Sequence, residues 1–371
     1  MKISTSKTEL QSALQKLSKA TPVRSTLPIL NSVLFVAENE GVLLRTTDLE
    51  ITIIVPLEAS LEDTGSAAVP LHTLLEITNE LPETRITISI DAQNRVELST
   101  EMGVYDLMGK PADEFPAIPD VDKQKTLSMA TNVMRDIIDN TSFAVSKDEL
   151  KPALTGVLFQ FNEQNLTSVA TDGHRLVRYI RTDYQTDAFS GDIVVPRKFL
   201  GLLGNFLSEE DNIDISLGDK HLIARIGKNT IITRLIDERF PDYDTVIPRD
   251  NEKRLTVERE TILGAVRRVS IFSNKSTHQV ALRIIDEKVT ITTEDPEKAS
   301  RAQENVSASY SGDDLVIGYN ANYLKDILAH IKVEKIIIDL KTPISAGLFY
   351  PEEQANNSDL TMLLMPIRLN D

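Results

Sequence analysis

Cysteine and tryptophan are absent from this chain, and only 5% of its 371 residues are aromatic. Without a thiol there is no disulfide framework and no thiolate metal centre. No run of eighteen apolar residues occurs, which excludes an apolar membrane-spanning helix. The N-terminal MKISTSKTELQSALQKL lacks the apolar stretch of a signal peptide. Together these features predict a cytoplasmic protein without a membrane partner. Positive charge is scarce as well. Lys and Arg number 40 against 56 Asp and Glu, a net charge of −16, and successive thirds of the chain carry −9, −4 and −3. Phosphate binding relies on Lys and Arg, so any nucleic-acid contact must use a local cationic face.

The usual catalytic signatures are missing too. The histidines His72, His174, His221, His278 and His330 show no helical or finger spacing suited to a metal. There is no G-x-x-x-x-G-K-[ST] loop, no G-x-G-x-x-G and no G-x-S-x-G. No cofactor is expected.

What the chain does contain is a repeat. NSVLFVAENEGVLLRTTDLE (31–50), TGVLFQFNEQNLTSVATDGH (155–174) and HQVALRIIDEKVTITTEDPE (278–297) each read as strand, acidic turn, and a second strand ending at an acid. Aligned this way, Leu34, Leu158 and Leu282 stand 124 residues apart, a third of the chain. Upstream of each hairpin lies helical apolar spacing: Leu10, Leu14 and Leu17; Val133, Ile137 and Ile138; Ile262, Val266 and Val269. Downstream, AAVPLHTLLEITNEL, IVVPRKFLGLLGNFL and LVIGYNANYLKDILAHI read as a strand entering a second helix, with Pro70 and Pro196 at its first position. Alternating strands follow. The expected architecture is three copies of one α+β unit of two helices and about eight strands, with domains at 1–124, 125–248 and 249–371. That period suits whole domains rather than a solenoid, and domains joined head to tail can close into a ring.

Chemical interest centres on SVATDGHRLVRYI, where Asp172, His174 and Arg175 stand together. An acid, an imidazole and a guanidinium this close could serve a hydrolase or line a binding surface. Asp172 could equally be a turn residue whose carboxylate takes nearby N–H groups, with Gly173 supplying positive φ. The equivalent turns keep an acid, Asp48 and Asp295, without a histidine or arginine beside it, which weighs against catalysis.

TDGHRL (171–176), VVPRKFL (194–200), RFPDY (239–243) and MPIRL (365–369), with TLPIL (26–30) and TDLE (47–50), resemble the bacterial sliding clamps, the beta subunits of DNA polymerase III. The similarity runs through the whole chain in one register. It implies three repeated DNA-clamp domains, each with two helices packed on antiparallel sheets, forming a six-domain ring as a homodimer. It also implies a non-enzymatic processivity factor that encircles double-stranded DNA regardless of sequence. The implied partners are the DNA polymerase III alpha subunit, the clamp-loader subunits, and other polymerases and repair proteins carrying clamp-binding motifs. The alternatives are a hydrolase built on Asp172 and His174, and a peptide-binding scaffold without DNA.

Matching motifs assign a partner-peptide pocket to Leu154, Thr171, Gly173, His174, Arg175 and Leu176, with Pro241, Val246, Asn320, Tyr323 and Ile344. The terminal Met365, Pro366, Ile367, Arg368 and Leu369 complete it. Its apolar members would form the cleft, with His174 and Arg175 at the rim donating to peptide carbonyls. Two departures from the family pattern are Asp244-Thr245, where basic residues are common, and Asn370-Asp371 beyond the usual terminal leucine. Arg24 matches a DNA-contacting position. Lys7, Lys16, Lys19, Arg135, Arg197, Lys198, Arg267, Lys325 and Lys332 fall on the polar faces of the helices expected to face DNA. The dimer contact would join GVYDLMG, with Tyr105 and Leu107, to VSIFSN, with Ile271 and Phe272, since an edge strand needs a pairing partner.

Overall fold

The computed structural model describes residues 1–371 apart from 23–24, 119–124, 185, 187–188, 208–210 and 370–371. In the first repeat β1 (Lys2–Ser6) leads into α1 (Lys7–Leu17), then β2 (Ser32–Glu38), β3 (Gly41–Thr47), β4 (Ile51–Leu57), β5 (Ser60–Asp63) and β6 (Gly65–Pro70). Helix α2 (Leu71–Glu80) precedes β7 (Arg85–Ile90), β8 (Arg95–Ser99), β9 (Val104–Met108) and the short β10 (Lys110–Pro111). The second repeat opens with β11 (Lys125–Ala130), α3 (Thr131–Thr141), β12 (Gly156–Phe161), β13 (Leu166–Thr171) and β14 (Arg175–Arg181). It continues through β15 (Gly191–Pro196), α4 (Arg197–Leu203), β16 (Asn212–Leu217), β17 (His221–Ile226) and β18 (Asn229–Arg234). The third begins with β19 (Lys253–Glu258), α5 (Arg259–Val269), β20 (Gln279–Ile285), β21 (Lys288–Asp295), β22 (Ser300–Ser307) and β23 (Ser309–Ser311). It ends with β24 (Leu315–Asn320), α6 (Ala321–His330), β25 (Lys335–Leu340), β26 (Gly347–Pro351) and β27 (Ser358–Leu364).

Local chemistry explains the helix starts. Ser6 caps α1 by accepting from the Glu9 N–H, and Asn320 caps α6 by accepting from Asn322. Each helix buries one apolar face: Leu10, Ala13, Leu14 and Leu17 in α1, and Ile262, Leu263, Ala265, Val266 and Val269 in α5. In α3 the buried apolar residues are Met134 and Ile137, while Val133 and Ile138 are half-buried. Pro70 and Pro196 do not open their helices. Each is the last residue of its strand, one step before the helix, and Pro70 has φ −55° and ψ 110°.

The strand registers correct one alignment drawn from sequence. Ser32 pairs with Pro70, Gly156 with Pro196 and Gln279 with Asn320. The position equivalent to Leu34 and Leu158 is therefore Ala281, not Leu282. Leu34 and Leu158 face the clusters that contain Phe115 and Phe240 respectively. Leu282 points to the other face and is fully buried, whereas Ala281 is half-buried. A one-residue offset in a strand exchanges its two faces.

The chain divides into two compact units that do not follow the repeats: residues 1–134 with 198–235, and residues 135–197 with 236–371. The first unit holds a five-stranded sheet ordered β5-β1-β7-β8-β9 and a nine-stranded sheet ordered β10-β6-β2-β3-β4-β18-β17-β16-β11. In the larger sheet β4 of the first repeat pairs antiparallel with β18 of the second, from Ile51↔Thr233 to Ile54↔Thr230. The second unit holds a nine-stranded sheet ordered β15-β12-β13-β14-β27-β26-β25-β19-β23 and a four-stranded sheet ordered β22-β21-β20-β24. There β14 of the second repeat pairs with β27 of the third, from Arg175↔Leu364 to Arg181↔Ser358. The strands in the corresponding places elsewhere, β9 of the first repeat and β22 of the third, are sheet edges.

The corrected register yields a stability test. Leu282→Ala should cost about 2–5 kcal/mol, the range for truncating a buried leucine. Ala281→Ser should stay within about 0.5 kcal/mol, as substitutions outside the core usually do. Urea unfolding midpoints of the two variants check the order, and a larger loss from Ala281→Ser would reinstate the 124-residue alignment.

Candidate functional site

The turn between β13 and β14 is built as its counterpart between β3 and β4 is. Asp48 Oδ1 accepts from the N–H groups of Glu50 and Ile51, at 3.0 and 2.7 Å. Asp172 Oδ1 accepts from those of His174 and Arg175, at 2.9 and 3.1 Å. Thr47 and Thr171 each donate their hydroxyl across the turn to the carbonyl four residues on. The left-handed position is Leu49 in one turn (φ 78°) and Gly173 in the other (φ 90°). Asp172 is thus a turn residue, and its second oxygen takes the Arg175 Nε at 3.1 Å. The contact from His174 comes from its backbone rather than its imidazole. Nothing in this arrangement presents Asp172 and His174 as a proton relay.

Arg175 does not occupy the rim position expected of it. Its side chain is 8% exposed and its donors are engaged within the second unit. Nε meets Asp172, Nη1 meets Asp326 of α6 at 2.6 Å, and Nη2 donates to the Phe143 carbonyl at 2.7 Å. The guanidinium also lies 5.2 Å from the centre of the Phe143 ring and 4.9 Å from that of Tyr323. His330 stacks on Phe143 at 3.7 Å, and His174 stacks on Tyr323 at 5.7 Å. The result is a chain of contacts, His330–Phe143–Arg175–Tyr323–His174, with a charged group at its centre. Burial and the nearby Asp172 push the Tyr323 hydroxyl above its ordinary pKa, while Arg175 pulls it back.

Beside this column lies an apolar cluster of the same unit. Leu158, Val169, Leu176, Val194, Phe240, Ala346 and Leu363 are buried in it, and Leu154, Ile236, Tyr243, Ile247 and Leu348 pack half-buried against it. Large apolar side chains near these residues in sequence stay in the open: Val246, Ile344 and Met365. Pro241 and Arg368 are also exposed, and Pro366, Ile367 and Leu369 are half-buried. The C-terminal segment is tied down by Met365 N–H donating to the His174 carbonyl and Ile367 N–H donating to the Gly318 carbonyl, each at 2.9 Å. Asp244 faces Arg178 at 3.9 Å, and Thr245 donates to the Asp242 carbonyl. Asn370 and Asp371 lie outside the described residues.

The candidate DNA-facing cations differ in availability. Lys19, Arg135, Arg197 and Arg267 are exposed, and Lys7 donates to Gln11 at 2.8 Å. Lys16 and Lys325 are half-buried. Lys198 is taken by Asp48, and Lys332 by Asp139 at 3.3 Å. Arg24 lies outside the described residues. On edge strand β9, Tyr105 and Leu107 are half-buried while Val104 and Met108, which the sequence reading omitted, are exposed. Ile271 is 76% exposed in a 3-10 turn whose Phe272 carbonyl accepts from Ser300 of β22.

Sequence reasoning missed Phe143 and Asp326, because nothing in NTSFAV or YLKDIL signals a contact with Arg175, 32 and 151 residues away. The network around Arg175 makes a prediction. Arg175→Ala should destabilise the fold by about 3–5 kcal/mol, since removing one member of a buried ionic network strands the others. His174→Ala should cost under about 1 kcal/mol. Thermal unfolding of both variants tests this, and a near-neutral Arg175→Ala would return that residue to the rim.

Comparison with known proteins converges on one family. Models of the DNA polymerase III beta subunit match in chain order: the N-terminal domain at residues 1–119, the central domain at 128–242 and the C-terminal domain at 244–368. The beta sliding clamp of Pseudomonas aeruginosa is 33% identical over 360 residues, 96% of each chain. Two solved sliding clamps bound to griselimycin match over 100% of both chains. The one from Pseudomonas aeruginosa has a TM-score of 0.92 at 31% identity, and the one from Bartonella birtlesii 0.93 at 28%. Three repeats of two helices on antiparallel sheets, matched domain by domain, place this chain in the family of bacterial DNA polymerase III beta subunits, the beta sliding clamps.

Proposed function

We propose that this chain is a DNA sliding clamp, a processivity factor without catalysis of its own that encircles duplex DNA as a homodimeric ring and tethers the replicative polymerase. The observation that carries the reading is the pair of open edges, β9 and β22. Their counterparts are joined twice within the chain, as β4 with β18 and β14 with β27. The same antiparallel join made between copies, β22 of one against β9 of the other, closes two chains into a two-fold ring. Apolar side chains are available for it: Val104, Tyr105, Leu107 and Met108 on one side, Ile271 and Phe272 on the other. The three domains would divide near residues 124 and 248.

A ring holds DNA by topology, so it needs no strong phosphate contacts, and tight ones would stop it sliding. The exposed Lys19, Arg135, Arg197 and Arg267 are sufficient for a weakly cationic hole, while the acidic excess repels DNA from other faces. The pairing of Lys198 and Lys332 with acids reduces the set of contacts expected there. The cluster around Leu176 and Leu363, with the exposed Val246, Ile344 and Met365 near it in sequence, would receive apolar partner peptides from the polymerase alpha subunit, the loader and repair proteins. The griselimycin held by two similar clamps supports a ligand site on this fold. In this reading the protein works in the cytoplasm.

Two experiments test the proposal. Clamp loaded on nicked circular DNA should stay bound and should leave once the circle is linearised. Equal retention on both forms would mean ordinary site binding. Replacing Ile271 and Phe272 together with alanine should yield folded monomers by sedimentation, since truncating large buried apolar groups costs about 2–5 kcal/mol per site. A persisting dimer would place the contact elsewhere.

A further inference from the structure

Both junctions between repeats within the chain carry an ion pair beside the joined strands. Register makes Pro70, Pro196 and Asn320 equivalent at the ends of their strands. Asp48, Asp172 and Asp295 are the equivalent turn acids. At the first junction the buried Asp48 pairs with Lys198, two residues after Pro196. At the second, Arg175, three residues after Asp172, pairs with Asp326, six residues after Asn320. Each junction makes one of the two bridges, because Ile51 and Leu202 stand where the first would need the second bridge, and Asn322 where the second would need the first.

Transferred to the join between copies, the same register selects four residues. The turn acid is Asp295; its turn is two residues longer than the others, so Ser300, the strand partner of Asp295, stands where Arg175 does, and Lys298 lies within the turn. Two residues after Pro70 stands His72, and six after it stands Glu76. The first bridge thus has its cation and acid at hand, His72 and Asp295, whereas the second has Glu76 but no cation at Ser300. Within one chain these groups pair locally: His72 Nε2 with Glu76 at 3.2 Å, both exposed, and Lys298 with the buried Asp295 at 3.4 Å. We propose that ring closure exchanges partners at the first bridge, setting His72 of one copy against Asp295 of the other, so that the ring tightens as pH falls. The inference rests on the ring reading above.

The sign follows from residue type. Lysine keeps its charge across the physiological range, whereas histidine changes charge between about pH 5 and 8. Only the charged imidazole reproduces the Lys198–Asp48 bridge, so closure takes up protons and weakens as pH rises. Helix α2 itself carries Glu76 and Glu80, and it packs on α1, with Lys7, Glu9 and Lys16, and on β2, with Glu38, and β6. The facing turn of the second copy would bring Glu294, Asp295, Glu297 and Lys298, a net negative field.

Sedimentation equilibrium of the full chain from about pH 8 to about pH 5.5 tests this. The parent's dimer dissociation constant should fall about three- to tenfold, the scale of two partly exposed ion pairs per ring. His72→Lys should stay tight and lose the pH dependence, and His72→Gln should stay weak and lose it too. Asp295→Asn should weaken the dimer and flatten its pH profile, and His72→Lys added to it should gain nothing. A dimer whose constant is flat with pH, a His72→Gln variant with the parent's profile, or a His72→Lys gain that survives Asp295→Asn would overturn the exchange. A parent that is monomeric throughout would overturn the ring itself, so the two failures are distinct.

Discussion

An antiparallel sheet that ends in an open edge must have that edge paired, covered or blunted, and this constraint organises the molecule. Each repeat presents one strand after its acidic turn and another after its second helix. Joining these strands produces the two nine-stranded sheets, each shared by two repeats. The compact units therefore cut across the repeats, since a shared sheet binds halves of neighbouring repeats into one body. Three repeats make two such joins and leave the equivalent pair of strands, β9 and β22, unjoined among the sheet edges, so the requirement that builds the sheets also supplies a reason to meet a second copy.

The turns beside the joins carry the chemistry that looked catalytic in the sequence. At Asp172 the carboxylate is spent on backbone N–H groups and on Arg175, and Arg175 is spent on Asp326, a backbone carbonyl and two aromatic rings. A buried guanidinium with all three nitrogens engaged fixes the surfaces it touches. Here it positions Tyr323 and, through that ring, His174. The residues of TDGHRL thus shape the proposed partner pocket mainly by holding its wall, while apolar side chains provide the exposed surface.

Much of this was legible from residues alone. Helical apolar spacing located the first helix of each repeat, the strand-to-helix segments the second, and alternation the strands, because burial of one face imposes a period of 3.6 or 2 residues. The repeat emerged from the same patterns. Its exact register did not, since Leu282 and Ala281 both stand in an apolar strand and differ only in the face they present. The prolines were read one position late for a similar reason: fixed φ suits both the end of a strand and the start of a helix.

The sequence by itself determined the repeat, the acidic balance and the absence of nucleotide-loop and thiolate chemistry, because composition and periodicity are local properties. Its family motifs also pointed to TDGHRL and the terminal MPIRL. Only the tertiary structure decided that Arg175 is interior and that Lys198 and Lys332 are paired with acids. The tertiary structure alone also identified which strands remain edges. Those outcomes depend on which distant residues meet: Phe143 and Asp326 lie 32 and 151 positions from Arg175. A charge in a sequence has no depth and no partner until the sheets join.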